Sequence, residues 1–282
     1  MLFALLLASS VTLAGQDMSV VYPKFQSDND TRYLEQVELL KTALEKTKVR
    51  YGGFKLSQSS VQMNELRYIQ EAKSGMSVNV VWWGTNQTIE KELIPIRIPI
   101  SKGLLGYRVF LINKDSQPKF TAIRSVDDLR KYRVGQGLDW GDVKVFEANR
   151  LPVVTGNNYE GLFNMLNGGA FEYFSRGINE AFNELETRRD KFPKMAVEEH
   201  LSLYYPWPYY FFVSPTTPKV AERLGKGLNI MISDGSFNAI FLKYNKSSID
   251  KANLKHRLII RINNPILPKE TPLNRKELWF VP

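Results

Sequence analysis

The chain has 282 residues, 43% hydrophobic and 24% charged, a composition typical of a globular protein with one large or two modest domains. The 38 Lys and Arg residues exceed the 29 Asp and Glu residues, for a formal net charge of +9, but acidic residues are interleaved among the basic ones, which argues against a nucleic-acid-binding protein. The absence of cysteine excludes disulfides, thiolate metal sites and cysteine nucleophiles, and two histidines are too few for a three-histidine zinc site.

The N-terminal segment reads as a targeting signal. Residues 1–14 are uncharged and apolar, and they end in Thr12 and Ala14, small residues spaced as at a signal-peptidase site. The run is shorter than the roughly 20 apolar residues of a membrane span, so we do not expect an integral membrane protein. We predict a signal peptide over 1–14 and a periplasmic location; a buried first strand or helix is the alternative.

The first block of the chain alternates strand and helix patterns. Residues 18–22 form an apolar strand-like run, and polar capping residues at 28–31 precede a helix whose apolar positions recur at helical spacing through Lys46. Residues 49–56 read as a second strand, and the helix after them ends at Gly75. These elements predict a first α/β unit.

A buried strand and a less regular segment follow. Residues 78–83 are almost continuously apolar, as in parallel strands that are covered on both faces. Pro95 and Pro99 break any helix beyond them, and residues 106–113 return as a long apolar strand. The polar stretch 114–118 is therefore a candidate for the first connection between two lobes.

The second block repeats the alternation with shorter elements. Strand and helix patterns alternate over residues 132–189, which predicts a second, smaller parallel sheet wrapped by helices. The run 204–213, rich in aromatic residues and proline, indicates a second connection. A helix then begins with Pro218 and ends at Gly235, and the proline-rich tail 265–282 is expected to lie extended on the surface.

Three segments carry a resemblance to a known family. Residues 157–173 are similar to its unit of helix, glycine turn and strand, and residues 132–137 resemble the strand and glycine turn that present backbone N–H groups to a ligand carboxylate. Residues 211–236 resemble its returning strand and terminal helix. Together these segments resemble the type II periplasmic solute-binding proteins (extracellular solute-binding family 3), which include polar amino-acid receptors of ATP-driven importers.

The resemblance implies an α/β fold of two lobes, each a mixed sheet flanked by helices, joined by two crossover segments. Residues 15–111 would form the first part of lobe 1, residues 112–205 lobe 2, and residues 206–282 the second part of lobe 1 with the extended tail. It also implies a binding protein without catalytic residues, cofactor or metal. A small solute would be held between the lobes and delivered to an inner-membrane permease of an ABC-type importer or to a sensor receptor.

The departures from the family pattern concern the charged contacts to the ligand. The region that matches the family's carboxylate-binding Thr-x-x-Arg step ends in Lys91, so Lys91 or the nearby Arg97 would replace the arginine. The second-lobe strand that delivers an Asp to a ligand ammonium delivers Arg176 here. A guanidinium pairs with anions, so we expect an anionic or zwitterionic solute clamped by Arg176. The alternative is a surface ion pair between Arg176 and Glu180.

Four further residues are candidates for the ligand site. Gln136 and Trp140 surround a glycine turn, where a polar contact and a stacking wall are expected; helix capping and core packing are the alternatives. Tyr22 and Trp83 end apolar strands and are candidate aromatic walls, with sheet packing as the alternative for either. Arg97 has a structural carboxylate as its alternative partner.

Other functions have weaker support. No nucleophile, metal or phosphate-loop motif is present, but an enzyme on the same scaffold that acts on a small carboxylate is the alternative function, because fold alone does not exclude catalysis. A structural module that uses residues 204–213 is a third possibility.

Overall fold

The computed structural model describes residues 17–25 and 33–282. The predicted signal peptide at 1–14 and the predicted cap at 28–31 lie outside these ranges. Within them, the strands form three sheets, of two, three and seven strands. No helix in the described part of the chain is both long and apolar enough to cross a membrane.

The first lobe combines the two smaller sheets with helices from both halves of the chain. Its strands are β1 (Met18–Tyr22), β2 (Phe54–Gln58), β3 (Val80–Gly84), β4 (Ile94–Ile100) and β11 (Tyr209–Val213). β1 pairs parallel with β2, and β11 lies between β3 and β4, antiparallel to both. The helices are α1 (Leu34–Lys46), α2 (Lys48–Tyr51), α3 (Glu65–Ser74), α4 (Gln87–Glu92), α10 (Pro218–Ser233) and α11 (Ser236–Ala252).

The hydrophobic spacing of α1 explains its position in this lobe. Leu39, Leu40, Ala43 and Leu44 lie on one face and are all buried, and they belong to the same apolar cluster as Leu224 of α10. This packing brings together α1 and α10, which lie about 180 residues apart in the chain. Burial of such a face stabilises the pair by the hydrophobic effect.

The second lobe contains the seven-stranded sheet. Its strands are β5 (Tyr107–Asn113), β6 (Val134–Gly137), β7 (Val153–Gly156), β8 (Tyr173–Gly177), β9 (Met195–Val197), β10 (Leu201–Tyr204) and β12 (Leu258–Arg261). The order is β12-β10-β5-β8-β6-β7, with β9 also paired to β5. The helices are α5 (Gln117–Thr121), α6 (Val126–Leu129), α7 (Asp142–Ala148), α8 (Tyr159–Asn167) and α9 (Ala181–Arg188). Two apolar clusters cover the faces of this sheet.

Two short adjacent segments, residues 101–106 and 205–208, connect the lobes side by side, and the chain crosses a third time between α11 and β12. On the first-lobe side Ile100 pairs with Tyr209, and on the second-lobe side Tyr107 pairs with Tyr204. Between these pairs the backbone N–H of Tyr205 donates to the carbonyl of Gly106 at 3.2 Å. The connection is therefore a double-stranded waist.

Three predictions about the elements differ from the structure. The sequence predicts a strand over 49–56, but residues 48–51 form a helical turn with Val49 fully exposed, and β2 begins only at Phe54. The second sheet is larger than the first-lobe sheets and is mixed rather than parallel.

The position of the first connection also differs. The sequence places it at 114–118, but β5 precedes that stretch and is already part of the large sheet, because residues 107–112 are all buried there. The first connection is thus at 101–106. The prediction for the end of the chain is also wrong in part. Residues 206–282 are predicted to return to lobe 1, but β12 pairs with β10 in the large sheet of the second lobe. The other predicted lobe boundaries stay predictions.

The C-terminal tail packs on the waist. A Cβ on Gly103 would lie 2.5 Å from the Trp279 ring, and the backbone N–H of Phe280 donates to the Lys102 carbonyl at 2.8 Å. Three consecutive residues here, Ser101, Lys102 and Gly103, have left-handed φ values of 55°, 51° and 66°, a conformation that costs energy for the two non-glycine residues.

Candidate functional site

A cavity of about 420 Å³ lies between the two lobes, beside the waist. Both lobes and both connecting segments contribute to its wall. The lining residues are Pro23, Lys24, Tyr33, Gln36, Met63, Tyr68, Ile69, Val81, Trp82, Trp83, Ile100, Ser101, Gly103, Leu105, Asn179, Glu180, Trp207 and Tyr209. A concave, largely apolar space with a few polar groups is the usual form of a small-molecule site.

The first-lobe wall of the cavity is aromatic. Trp83 near the end of β3, together with Tyr33, Tyr68 and Tyr209, places ring surface on this side. The Tyr68 hydroxyl is held in place, because it accepts from the backbone N–H groups of Lys24 at 3.0 Å and Met63 at 3.1 Å. The wall therefore presents fixed rings, which bury large area against a bound molecule.

Trp207 links the two lobes at the waist. A Cβ on Gly141, at the start of α7, would lie 2.6 Å from the Trp207 ring, and one on Gly84, at the end of β3, would lie 3.5 Å from it. The ring also meets Tyr205 edge to face at 6.0 Å. Trp207 thus lies in a slot formed by one glycine from each lobe and also faces the cavity.

Asn179 and Glu180 form the second-lobe wall. They follow directly on β8, at the carboxyl end of a strand, where ligands of α/β sheets are usually bound. Glu180 Oε2 accepts from the backbone N–H of Gly177 at 2.9 Å, and its Oε1 lies 3.1 Å from Nη2 of Arg176. Glu180 is half-buried. It lines the cavity and also contacts a cluster of buried charged side chains.

Arg176 is buried in ion pairs rather than exposed in the cavity. Its Nε lies 2.8 Å from Glu184 Oε2 and its Nη2 lies 2.6 Å from Glu184 Oε1, and its guanidinium lies over the rings of Trp140 (4.8 Å) and Phe174 (5.0 Å). Burial acts against the charged form, but the carboxylates of Glu180 and Glu184 outweigh it and hold the pKa of Arg176 above its usual value.

A second arginine completes the cluster. Arg108 on β5 pairs with Asp142 at 2.7 Å and lies 3.8 Å from Glu180, and Asp142 also accepts from the Tyr205 hydroxyl. The ion pairs of Arg108 and Arg176 within the described ranges therefore involve three carboxylates: Asp142, Glu180 and Glu184. Arg188, at the outer side, pairs with Glu160 instead.

The structure brings some of the six predicted ligand residues close to the cavity and leaves others apart. Trp83 lines the cavity. Arg176 and Trp140 lie behind Glu180, where Trp140 stacks on Phe174 with an interplanar angle of 17°. Gln136 is buried and its Nε2 donates to the Ser175 carbonyl at 3.2 Å.

The remaining two residues point to structural roles in this conformation. Tyr22 is buried in the first-lobe core against Phe25 and Trp82. Arg97 donates from Nε and Nη2 to Glu90 Oε2, at 3.1 and 2.6 Å, and neither it nor the exposed Lys91 is in the cavity wall. The assignment of all six residues to a ligand site stays a prediction.

Several residues that line the cavity are not predicted from the sequence. The sequence indicates Glu180 only as an ion-pair partner of Arg176, although its position just after a strand is a usable signal. Trp207 belongs to the run 204–213, which is predicted as the second connection. Tyr33, Tyr68 and Tyr209 belong to elements far apart in the chain, so only the fold brings them together.

No protein-family model and no curated protein sequence matches the chain. Solved structures do match the chain. An ancestral arginine-binding protein bound to arginine matches with a TM-score of 0.55 at 18% identity, over 81% of this chain and 97% of that one. The second substrate-binding domain of Lactococcus lactis GlnP, in an open conformation, matches with a TM-score of 0.52 at 15% identity, over 82% and 96%.

A sensor domain gives a similar match. It belongs to a histidine kinase and is described as similar to periplasmic binding proteins; its TM-score is 0.52 at 16% identity, over 82% of this chain and 96% of that one. At these identities the likeness concerns the fold. The chain therefore has the two-lobe α/β fold of the type II periplasmic solute-binding proteins, as its sequence predicts.

Proposed function

We propose that the protein captures a small zwitterionic solute between its two lobes and releases it unchanged. The observation that carries this proposal is the cavity of about 420 Å³, to which both lobes and both strands of the waist contribute. This volume falls within the range of roughly 300 to 1,000 Å³ typical of small-molecule sites.

The waist gives the proposal a mechanism. Two short segments lie side by side where the lobes meet, so we infer that the lobes rotate toward each other about residues 101–106 and 205–208, as in hinge closure around a ligand. A solute that contacts both walls stabilises the closed form by its differential affinity for it. The similar structures include two proteins named for binding arginine or substrate and a sensor domain, which supports solute binding.

The charges in the cavity wall favour a zwitterion over a simple anion. Lys24 lies on the first-lobe side and Glu180 on the second-lobe side. The sequence predicts Arg176 as an anion clamp, but its charge is taken up by Glu180 and Glu184. A solute with a carboxylate near Lys24 and a positive group near Glu180 meets both charges.

The destination of the solute is part of the same proposal. We place the protein in the periplasm, exported by the predicted signal peptide, where the loaded form is recognised by the permease of an ABC-type importer or by a signalling receptor. A binding protein of this kind needs no catalytic group or cofactor.

Thermal unfolding and small-angle scattering test this function. The purified protein is screened against amino acids, dicarboxylates and short peptides. A solute present at 100 times its Kd raises the free energy of unfolding by about 2.7 kcal/mol. We expect at least one solute to raise Tm and to reduce the radius of gyration as the lobes close. A screen without any stabilising solute, or binding without compaction, would contradict the proposal.

A further inference from the structure

We propose that three consecutive residues of the C-terminal tail, Leu278, Trp279 and Phe280, form a brace that holds the waist in its present conformation and thereby lowers the affinity for the solute. None of the three is among the residues that line the cavity, so the brace acts on binding from outside it. The proposal rests on the proposed function, because it concerns the movement of the lobes that capture requires.

The brace is anchored in both lobes. Leu278 is buried, with 1% of its surface exposed, and belongs to the apolar cluster of the first lobe. Phe280 packs against an apolar cluster of the second lobe, where its ring meets the Tyr107 ring of β5 at 5.7 Å and its carbonyl accepts from the Tyr107 hydroxyl at 3.2 Å. Two residues of extended chain span at most about 7 Å, so the brace leaves little room for relative movement of its two anchors.

The brace also holds the first strand of the waist. The backbone N–H of Phe280 donates to the Lys102 carbonyl at 2.8 Å, and the Trp279 ring lies against Gly103, where an added Cβ would be only 2.5 Å from it. Ser101 and Lys102 have left-handed φ values of 55° and 51°, and non-glycine residues keep such values only where their surroundings hold them. Rotation about this strand changes these angles and so disturbs its contacts with the brace.

An earlier part of the same tail holds the second strand of the waist. The side chain of Asn264 donates from Nδ2 to the Pro206 carbonyl at 2.9 Å. Further along, Nη2 of Arg275 donates to Oδ1 of Asn229, on α10 of the first lobe, at 3.3 Å. The tail thus leaves the second lobe after β12, passes both strands of the waist and contacts the first lobe before it reaches the brace. Both strands are held by one segment of chain.

Weaker brace contacts should therefore make binding tighter. Where a solute binds only the closed form, the apparent Kd is the intrinsic Kd divided by the fraction of the protein in that form. Contacts that stabilise the present conformation of the waist lower this fraction. Removing part of the brace raises the fraction and lowers the apparent Kd, although no group that contacts the solute has changed.

The first test measures the lobes without any solute. The chain has no cysteine, so Val49→Cys in the first lobe and Glu186→Cys in the second give two unique, exposed sites for spin labels. Double electron–electron resonance gives the distribution of distances between them. In this labelled protein we expect Trp279→Ala to add a second, displaced population. Trp279→Leu, which keeps apolar cover on the first-lobe core, replaces it if the alanine variant does not fold.

The second test measures affinity by isothermal titration calorimetry, with arginine, glutamine and glutamate as probes. For a probe that the parent protein binds, we expect the Trp279 variant to bind about threefold more tightly or better. The matched controls are Leu273→Ala and Val281→Ala, which replace exposed apolar residues of the same tail. These controls should change neither the distances nor the affinity.

The outcomes separate the brace from the proposed function. A displaced population and tighter binding in the Trp279 variant, with both controls unchanged, support the brace. Unchanged distances, or unchanged or weaker binding, overturn it and leave the solute-binding function standing. If none of the probes binds the parent protein, the proposed function fails this test, and the distances alone then support or overturn the hold of the brace on the waist.

Discussion

Arg223 in the first lobe and Arg176 in the second are both buried guanidinium groups, but their partners differ. Arg223 on α10 donates to four groups: the carbonyls of Leu44, Gly52 and Gly53 at 2.9 to 3.1 Å, and the hydroxyl of Thr47 at 3.1 Å. These acceptors lie at the ends of α1 and α2, where carbonyls lack helical partners. Arg176 instead pairs with carboxylates.

The difference separates an arginine that only joins backbone segments from one whose ion pairs reach the cavity wall. Arg223 satisfies neutral groups at the ends of α1 and α2 and is not among the residues that line the cavity. Arg176 forms an ion pair with Glu180, which lines the cavity. Four substitutions test this comparison of buried charges and the packing between the lobes.

The largest effect is expected for Arg223→Met. The substitution removes four hydrogen bonds that a buried guanidinium donates, so we expect the free energy of unfolding to fall by about 4 kcal/mol. Chemical denaturation measures the loss. Ligand affinity of the remaining folded protein should be unchanged, and a tenfold weaker affinity would show that Arg223 also acts on the site.

Arg176→Met is expected to cost about 3 kcal/mol, because it leaves buried carboxylates without their nearest cation. The double variant Arg176→Met/Glu184→Gln removes one of those carboxylates as well, so it should regain part of the lost stability. A double-mutant cycle by chemical denaturation gives the coupling. Additive losses would mean that the ion pair is not what stabilises Arg176.

Glu35 extends the comparison to a buried carboxyl group with hydrogen-bond donors. Ser101 Oγ donates to it at 2.6 Å, but burial dominates and raises the pKa of Glu35 from 4.5 to about 7. The folded state therefore holds this proton more tightly than the unfolded state. Its contribution to stability is full below pH 4.5 and is lost as the pH rises through 7.

The expected size of this loss is roughly 3 kcal/mol between pH 4.5 and 8. Glu35→Gln keeps an acceptor for Ser101 and removes the titration, so the fall should be smaller in this variant. Urea denaturation at a series of pH values measures it. Parallel pH profiles of the variant and the wild type would contradict the role of Glu35.

The smallest effects concern the glycine slot around Trp207. Gly141→Ala forces the ring to move, since its Cβ would lie 2.6 Å away, and we expect a loss of about 1 to 2 kcal/mol. Gly84→Ala meets the same ring at 3.5 Å, an ordinary contact, and serves as the matched control with little change. Thermal unfolding of the Gly141→Ala and Gly84→Ala variants measures the two losses of stability. Equal losses would mean that the ring is not held more tightly on the second-lobe side.

The sequence predicted elements whose signal is local. The apolar face of α1 and the strand β3 are confirmed by the structure, although β3 pairs antiparallel with β11 and not parallel as its apolar run suggests. The fold class is confirmed as well. The strand predicted at 49–56 failed because β-branched Val49 is exposed on a short helix, where tertiary position outweighs propensity.

The cavity was less predictable, for reasons of chain distance. Glu184 lies eight residues from Arg176, on the next helix, so no strand or helix spacing indicates their contact. The aromatic wall joins residues from 33 to 209. The alternative that paired Arg176 with Glu180 was visible in the sequence, and the structure contains that ion pair at 3.1 Å.

The packing of Trp279 on Gly103 gives the molecule an internal optical reporter. Ser101 and Gly103 belong to the cavity wall, and the indole N–H of Trp279 donates to the Pro272 carbonyl at 3.0 Å. The proposed rotation about residues 101–106 would shift the surroundings of this indole, which is not part of the cavity wall. Comparing emission from a Trp279→Phe variant with that of the parent would isolate this signal and follow lobe movement in real time without an attached dye.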